Sequence, residues 1–139
     1  MKKLTYSFVL VTFSLLMTVM VFHWGKQLFF GDMPSVNAHF SKNALMAGLV
    51  ADTLRGLMVS ALYIKTSYYH TSYAKAISFG LITSIIAGSL SVIYPFLSGQ
   101  SGGFPFIIEE GTILLMQGLF SGVALRFAHL LATGKRINK

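Results

Sequence analysis

Residues 44–64, ALMAGLVADTLRGLMVSALYI, decide the fold class of this chain, because 21 consecutive residues contain a single acid and a single base. As an α-helix at about 1.5 Å per residue, this run is roughly 30 Å long and matches the hydrocarbon core of a bilayer. Similar apolar runs lie at 4–22, 76–96 and 105–128. None shows the alternation of a β-strand, and backbone amides in lipid must be hydrogen-bonded within the protein. The sequence therefore predicts four transmembrane helices.

The composition also favours a membrane environment. The chain has 139 residues, 54% hydrophobic and 11% charged, whereas an ordinary soluble domain has about 25% charged residues. Its mean hydropathy is +0.67. We predict an all-α, polytopic membrane protein in which residues 1–139 form one antiparallel bundle of four transmembrane helices. The absence of cysteine excludes disulfides, thiolate metal sites and thiol nucleophiles.

The first apolar run also resembles a secretory signal peptide, because two lysines precede it. Signal peptides have an apolar core of about 7 to 15 residues with a small-residue cleavage site close behind. Here the run continues to Phe22, and the nearest acceptable site, at 36–38, lies far downstream. We therefore expect this segment to be retained as a transmembrane helix.

The basic residues predict the orientation of the helices. Eight of them lie before the first predicted helix, in the middle loop, or at and after the end of the fourth helix; two lie on the opposite side, and Arg55 lies in the middle of a helix. By the positive-inside rule we expect a multi-pass protein of the cell (inner) membrane with the N- and C-termini in the cytoplasm. The charges are spread over helix ends instead of forming one patch, so no nucleic-acid partner is expected. The eight are Lys2, Lys3, Lys65, Lys75, Arg126, Lys135, Arg136 and Lys139, and the two are Lys26 and Lys42.

The most informative polar residues lie inside the apolar runs. Asp52 and Arg55 are near the middle of the second predicted helix, where each would cost about 2.5 to 3.5 kcal/mol if it faced lipid. Three residues apart on one helix, they can neutralise each other. Glu110 and Gln117 share a face of the fourth predicted helix. We predict that these four residues form a polar seam between the second and fourth helices.

Two interpretations of the polar seam remain open. In the structural one, a buried ion pair and a hydrogen-bonding glutamine set the register between helices. In the functional one, the same groups relay protons or ions, or bind a charged substrate. Glu109, one position round the helix, is a candidate contact for an ion or a partner. No metal-ligand spacing accompanies it, so no metal site is predicted.

Small residues at four-residue spacing predict close helix packing, because they let two helix backbones approach. Within the predicted helices these candidate packing residues are Gly48, Gly56, Gly80, Ser84, Gly88, Gly118 and Gly122.

The sequence gives little indication of a cofactor or of catalysis. A membrane bundle can hold haem between histidines on facing helices. The histidines here, His23, His39, His70 and His129, all lie outside the predicted hydrocarbon core, so no haem or other cofactor is expected. Phosphate-binding loops, nucleophile elbows and HExxH motifs are absent from the sequence. We predict no catalytic residues and a protein that is not an enzyme.

Two function classes follow. The first is a non-catalytic accessory, assembly or scaffold component that binds other membrane helices, and it is favoured because a neutralised Asp52 and Arg55 pair is a poor carrier of charge. The second is a small oligomeric transporter or channel in which Asp52, Arg55 and Glu110 couple protons or ions. In both, the expected partners are the lipid bilayer and either further copies of the chain or a larger membrane protein.

Overall fold

The computed structural model describes residues 1–30, 42–97 and 104–134, and these ranges form helices without any strand. The all-α prediction is therefore confirmed for them. The four α-helices and one short 3₁₀ helix, named here the linker helix, are α1 (Lys2–Phe30), α2 (Lys42–Lys65), the linker helix (Ser67–His70), α3 (Tyr73–Leu97) and α4 (Phe104–Thr133).

The helices are longer than the apolar runs that predicted them. The apolar run at 4–22 predicted a helix that ends near Phe22, whereas α1 continues to Phe30. Backbone hydrogen bonding continues through polar residues, whereas hydropathy marks only the lipid-compatible part of a helix. α4 likewise runs to Thr133, and Gly134 follows it with a φ of 64°. This left-handed conformation, which glycine adopts without strain, ends the helix.

α4 is the centre of the arrangement. It packs along α3 and along α1, and α1 in turn packs along α2. Gly80 faces Gly118 and Gly88 faces Leu114, so residue numbers rise along α3 as they fall along α4. These two helices are therefore antiparallel. α2 and α3, although consecutive, make few contacts with each other. The ring of helices is closed on three sides and open on the side between α2 and α3.

The best-packed region lies at the end of the bundle that holds the linker helix. Tyr63 is 1% exposed, and its hydroxyl donates a hydrogen bond of 3.2 Å to the backbone carbonyl of Tyr69. The rings of Tyr63 and Phe79 lie 5.4 Å apart, and the rings of Tyr69 and Phe79 lie 5.0 Å apart. Aromatic contacts of this kind anchor the link between α2 and α3 to the core. The core cluster consists of Val11, Leu15, Val59, Tyr63, Ala76, Phe79 and Leu125.

The described residues have an apolar exterior and several polar groups inside. Large apolar side chains such as Leu28, Ile86 and Phe104 are between 66% and 82% exposed. Among the described residues, two helical stretches are long and apolar enough to cross a membrane, Lys2–Phe22 and Ile107–Thr133. A third apolar stretch, Tyr73–Ser89, is shorter. The buried polar residues are Ser7, Thr18, Ser60, Ser84, Gln117 and Ser121.

Candidate functional site

Arg55 connects three helices. From α2, its Nη1 donates a hydrogen bond of 2.6 Å to Oε1 of Gln117 on α4, and its Nη2 donates a longer one of 3.5 Å to the backbone carbonyl of Ser84 on α3. Gln117 is 3% exposed. Hydrogen bonds to a charged group contribute about 1.5 to 3 kcal/mol each. The guanidinium therefore bridges the side of the bundle where helix packing is sparse.

Asp52 lies one helical turn before Arg55 on α2. It is half-buried, and its described interaction is the electrostatic attraction to Arg55. Because Arg55 gives its Nη hydrogen bonds to neutral oxygens, Asp52 supplies the negative charge that balances it. Nε of Arg55 is buried and has no hydrogen-bond partner within residues 1–30, 42–97 and 104–134. The group is therefore neutral in total charge and incompletely hydrogen-bonded.

Three of the four residues of the predicted polar seam have described contacts or attractions with one another. The structure brings Asp52, Arg55 and Gln117 together, and Ser84 joins them through its backbone carbonyl, which hydropathy could not indicate. Glu110 lies seven residues before Gln117, roughly 10 Å along the helix axis. Glu109 and Glu110 are half-buried, and each interacts with other groups. We name the set Asp52, Arg55, Ser84 and Gln117 the polar cluster.

An open groove lies beside the polar cluster, between α2 and α3. Its volume is about 630 Å³, and its α2 side runs from Ala51 to Leu62, about 17 Å along the helix axis. Asp52 and Arg55 supply the charged groups of a lining that is otherwise mostly apolar. The remaining lining residues include Met58, Val59, Thr83, Ile86, Ala87 and Gly88.

Close glycine packing explains why the groove lies on this side. A Cβ at Gly118 would lie 2.8 Å from Cα of Leu81, and a Cβ at Gly122 would lie 2.5 Å from Cα of Ile77. The backbones of α3 and α4 therefore touch, which holds α3 against α4. On the other side of the bundle, a Cβ at Gly56 would meet Thr12, so α2 is held against α1. α3 is therefore held by α4 and α2 by α1, and the groove lies between α2 and α3.

The other glycines that were predicted to allow close helix packing differ in what surrounds them. A Cβ at Gly80 would meet the backbones of Gly118 and Gly122, and one at Gly88 would meet the side chain of Leu114. Gly48 belongs to α2, and its surroundings lie outside what the structure describes.

A second polar group at the linker helix was not predicted from the sequence. The rings of His70 and His129 lie 4.4 Å apart, and those of Tyr63 and His70 lie 4.6 Å apart. Nη1 of Arg126 donates to the carbonyl of His70, and Nε2 of His70 donates to the carbonyl of Tyr63. The predicted topology places both histidines at the same end of the bundle, and this was the one sequence feature that could have indicated that they lie close together. Their contact depends on how α4 is rotated against the linker helix.

The structure contains no candidate metal centre in the ranges it describes, since groups of three or more metal-ligating residues are absent there. His39 lies outside the described residues, and the side chain of His23 is likewise not described.

Comparisons of the chain with protein-family models, with curated proteins and with solved structures found no match. A functional assignment therefore depends on the geometry of the polar cluster and the groove.

Proposed function

We propose that this chain is an integral membrane protein whose four helices all cross the bilayer. The apolar exterior and the two helices long enough to span a membrane support this proposal. An apolar surface of this extent is unfavourable in water and favourable in lipid. The distribution of lysine and arginine supports an orientation with both termini in the cytoplasm, in the cell (inner) membrane.

Within that membrane, the proposed role is a non-catalytic accessory or assembly component that binds a helix of another membrane protein. The observation that carries the proposal is the open groove between α2 and α3, with Asp52 and Arg55 in its lining. Charged groups near the middle of a bilayer are unfavourable against lipid, and a bound helix would shield them. Covering the groove with a helix would therefore be energetically favourable, and the few contacts between α2 and α3 leave room for a partner.

A pair of tryptophan variants tests this role. Met58 lines the groove and is 65% exposed, whereas the adjacent Leu57 is 43% exposed and lies outside the groove lining. Met58→Trp fills the groove and should reduce co-purification of membrane partners in mild detergent at least fivefold. Leu57→Trp is the matched control and should retain them. Equal recovery of the same partners with both variants would contradict a role for the groove.

The second candidate function is a small transporter or channel. It is favoured by one observation, the position of Arg55 and Gln117 inside the bundle beside the buried Ser84. Polar groups inside a helical membrane bundle often mark the route of an ion or a substrate. Purified protein in liposomes with a pH-sensitive dye inside measures proton flux. Transport predicts a flux that Asp52→Asn abolishes without loss of protein, whereas the accessory role predicts no flux above that of empty liposomes.

A further inference from the structure

The charge balance of the groove restricts what can bind there. Asp52 and Arg55 both line it, and their charges cancel. Arg55 directs its Nη donors to Gln117 and Ser84. The carboxylate of Asp52 is half-buried and retains acceptor capacity, because an ionised carboxylate has about four acceptor positions. The groove therefore offers hydrogen-bond acceptors without an excess of charge.

We propose that the groove between α2 and α3 binds one transmembrane helix of a partner protein, and that this helix carries an uncharged hydrogen-bond donor at the depth of Asp52. Asparagine or glutamine has the required chemistry. The inference rests on the proposed function and specifies the partner.

The shape of the groove fits a helix. Its α2 side is about 17 Å long, which is three helical turns. Ala51 and Ala87 are exposed in its lining, and small residues allow the backbone of a neighbouring helix to approach closely. Leu54, Met58 and Leu62 follow one face of α2 at spacings of four residues, and they supply the apolar contacts along the groove.

The polarity of the groove selects an uncharged donor. A lysine or arginine on the partner would add a second cation beside Arg55, and the group would then have a net positive charge in a medium of low dielectric constant. A leucine would leave the acceptor oxygens of Asp52 without a donor. An amide side chain donates to the carboxylate and changes no charge.

Synthetic transmembrane peptides test this inference directly. Three leucine and alanine helices with lysine at both ends differ only at the central residue, which is asparagine, lysine or leucine. The protein carries a donor dye on a cysteine introduced at the exposed Ser67, since the sequence has no cysteine of its own. Energy transfer to acceptor-labelled peptide in lipid vesicles measures binding. We expect the asparagine peptide to bind about three to twenty times more tightly than the leucine peptide, the range for hydrogen bonds between membrane helices.

Two further variants locate the binding site. Met58→Trp should weaken binding of the asparagine peptide, and the control Leu57→Trp should not. The double variant Asp52→Leu with Arg55→Leu replaces both charges by apolar groups, and it should bind the asparagine and leucine peptides equally. Its far-UV circular dichroism establishes that it remains helical.

Several outcomes would overturn the inference. Tightest binding by the lysine peptide would show that the groove selects a cation, and equal binding of all three would show no polar selection while leaving a helix-binding role intact. If Met58→Trp leaves peptide binding unchanged, or if no peptide binds, this groove is not the binding site of a partner helix. Copies of the protein with different labels could instead associate with each other. If energy transfer between them increases as lipid is reduced, and if this association prevents peptide binding, the groove binds a second copy of the chain. The proposed accessory function is decided separately by co-purification.

Discussion

Replacing Arg55 by leucine removes the one side chain that bridges α2, α3 and α4 in the polar cluster. The variant loses the 2.6 Å hydrogen bond to Gln117, which is then left buried at 3% exposure with an unpaired amide oxygen. It also loses the charge that balances Asp52. Leaving a buried acceptor unpaired costs about 1 to 3 kcal/mol, and the half-buried carboxylate of Asp52, no longer balanced by a cation, adds to that cost. We therefore expect Arg55→Leu to lower the free energy of unfolding by at least that amount.

The double change Asp52→Leu with Arg55→Leu should be less harmful than Arg55→Leu alone. No unbalanced charge remains in it, so the main residual cost is the unpaired Gln117, about 1 to 3 kcal/mol. Matched apolar residues can replace a buried ion pair without large loss. Thr53→Leu is the control for an added leucine on α2, because Thr53 is exposed and its hydroxyl donates to the carbonyl of Leu49 within the same helix. Its effect should be within about 0.5 kcal/mol.

Unfolding of each variant in mixed micelles, with increasing sodium dodecyl sulfate and detection by circular dichroism, measures these differences. The comparison has a clear refuting result. If Arg55→Leu and the double variant lose the same stability, Asp52 and Arg55 do not compensate each other in the polar cluster. A double-mutant cycle with Asp52→Leu then gives the interaction energy of the pair.

Three further predictions concern packing, hydrogen bonding and orientation. Gly122→Ala brings a Cβ to 2.5 Å from the backbone of α3 and should destabilise the protein by at least about 1 kcal/mol, measured by the same unfolding assay. Gly111→Ala on the same helix meets no atom within 4 Å and should stabilise by up to about 1 kcal/mol, so a loss equal to that of Gly122→Ala would contradict the packing. Tyr63→Phe removes a 3.2 Å hydrogen bond and should lower the unfolding free energy by about 0.5 to 1.5 kcal/mol, and no measurable change would show that this bond contributes nothing. A cysteine at Ser101 should react with an impermeant thiol reagent from outside the cell and one at Ser67 should not, and the reverse pattern would invert the proposed topology.

The sequence by itself determined that the chain is all-α and where its helices lie, because apolar runs and backbone hydrogen bonding are local properties. It also identified Asp52, Arg55 and Gln117, since charged and amide side chains within apolar runs are visible without knowledge of the fold. The helix ends were less predictable. Hydropathy falls near Phe22, whereas the hydrogen-bonded helix continues to Phe30.

Only the tertiary structure decided which helices pair and where the groove lies. Apolar residues are distributed around all sides of α4, so its sequence does not indicate which side packs against other helices. The pairing depends on the close approach of Gly118 and Gly122 to α3, which needs the three-dimensional fit of two helices. The bond from Arg55 to the carbonyl of Ser84 is similarly invisible in the sequence, because every residue has a carbonyl and only the rotation of α3 brings this one within reach.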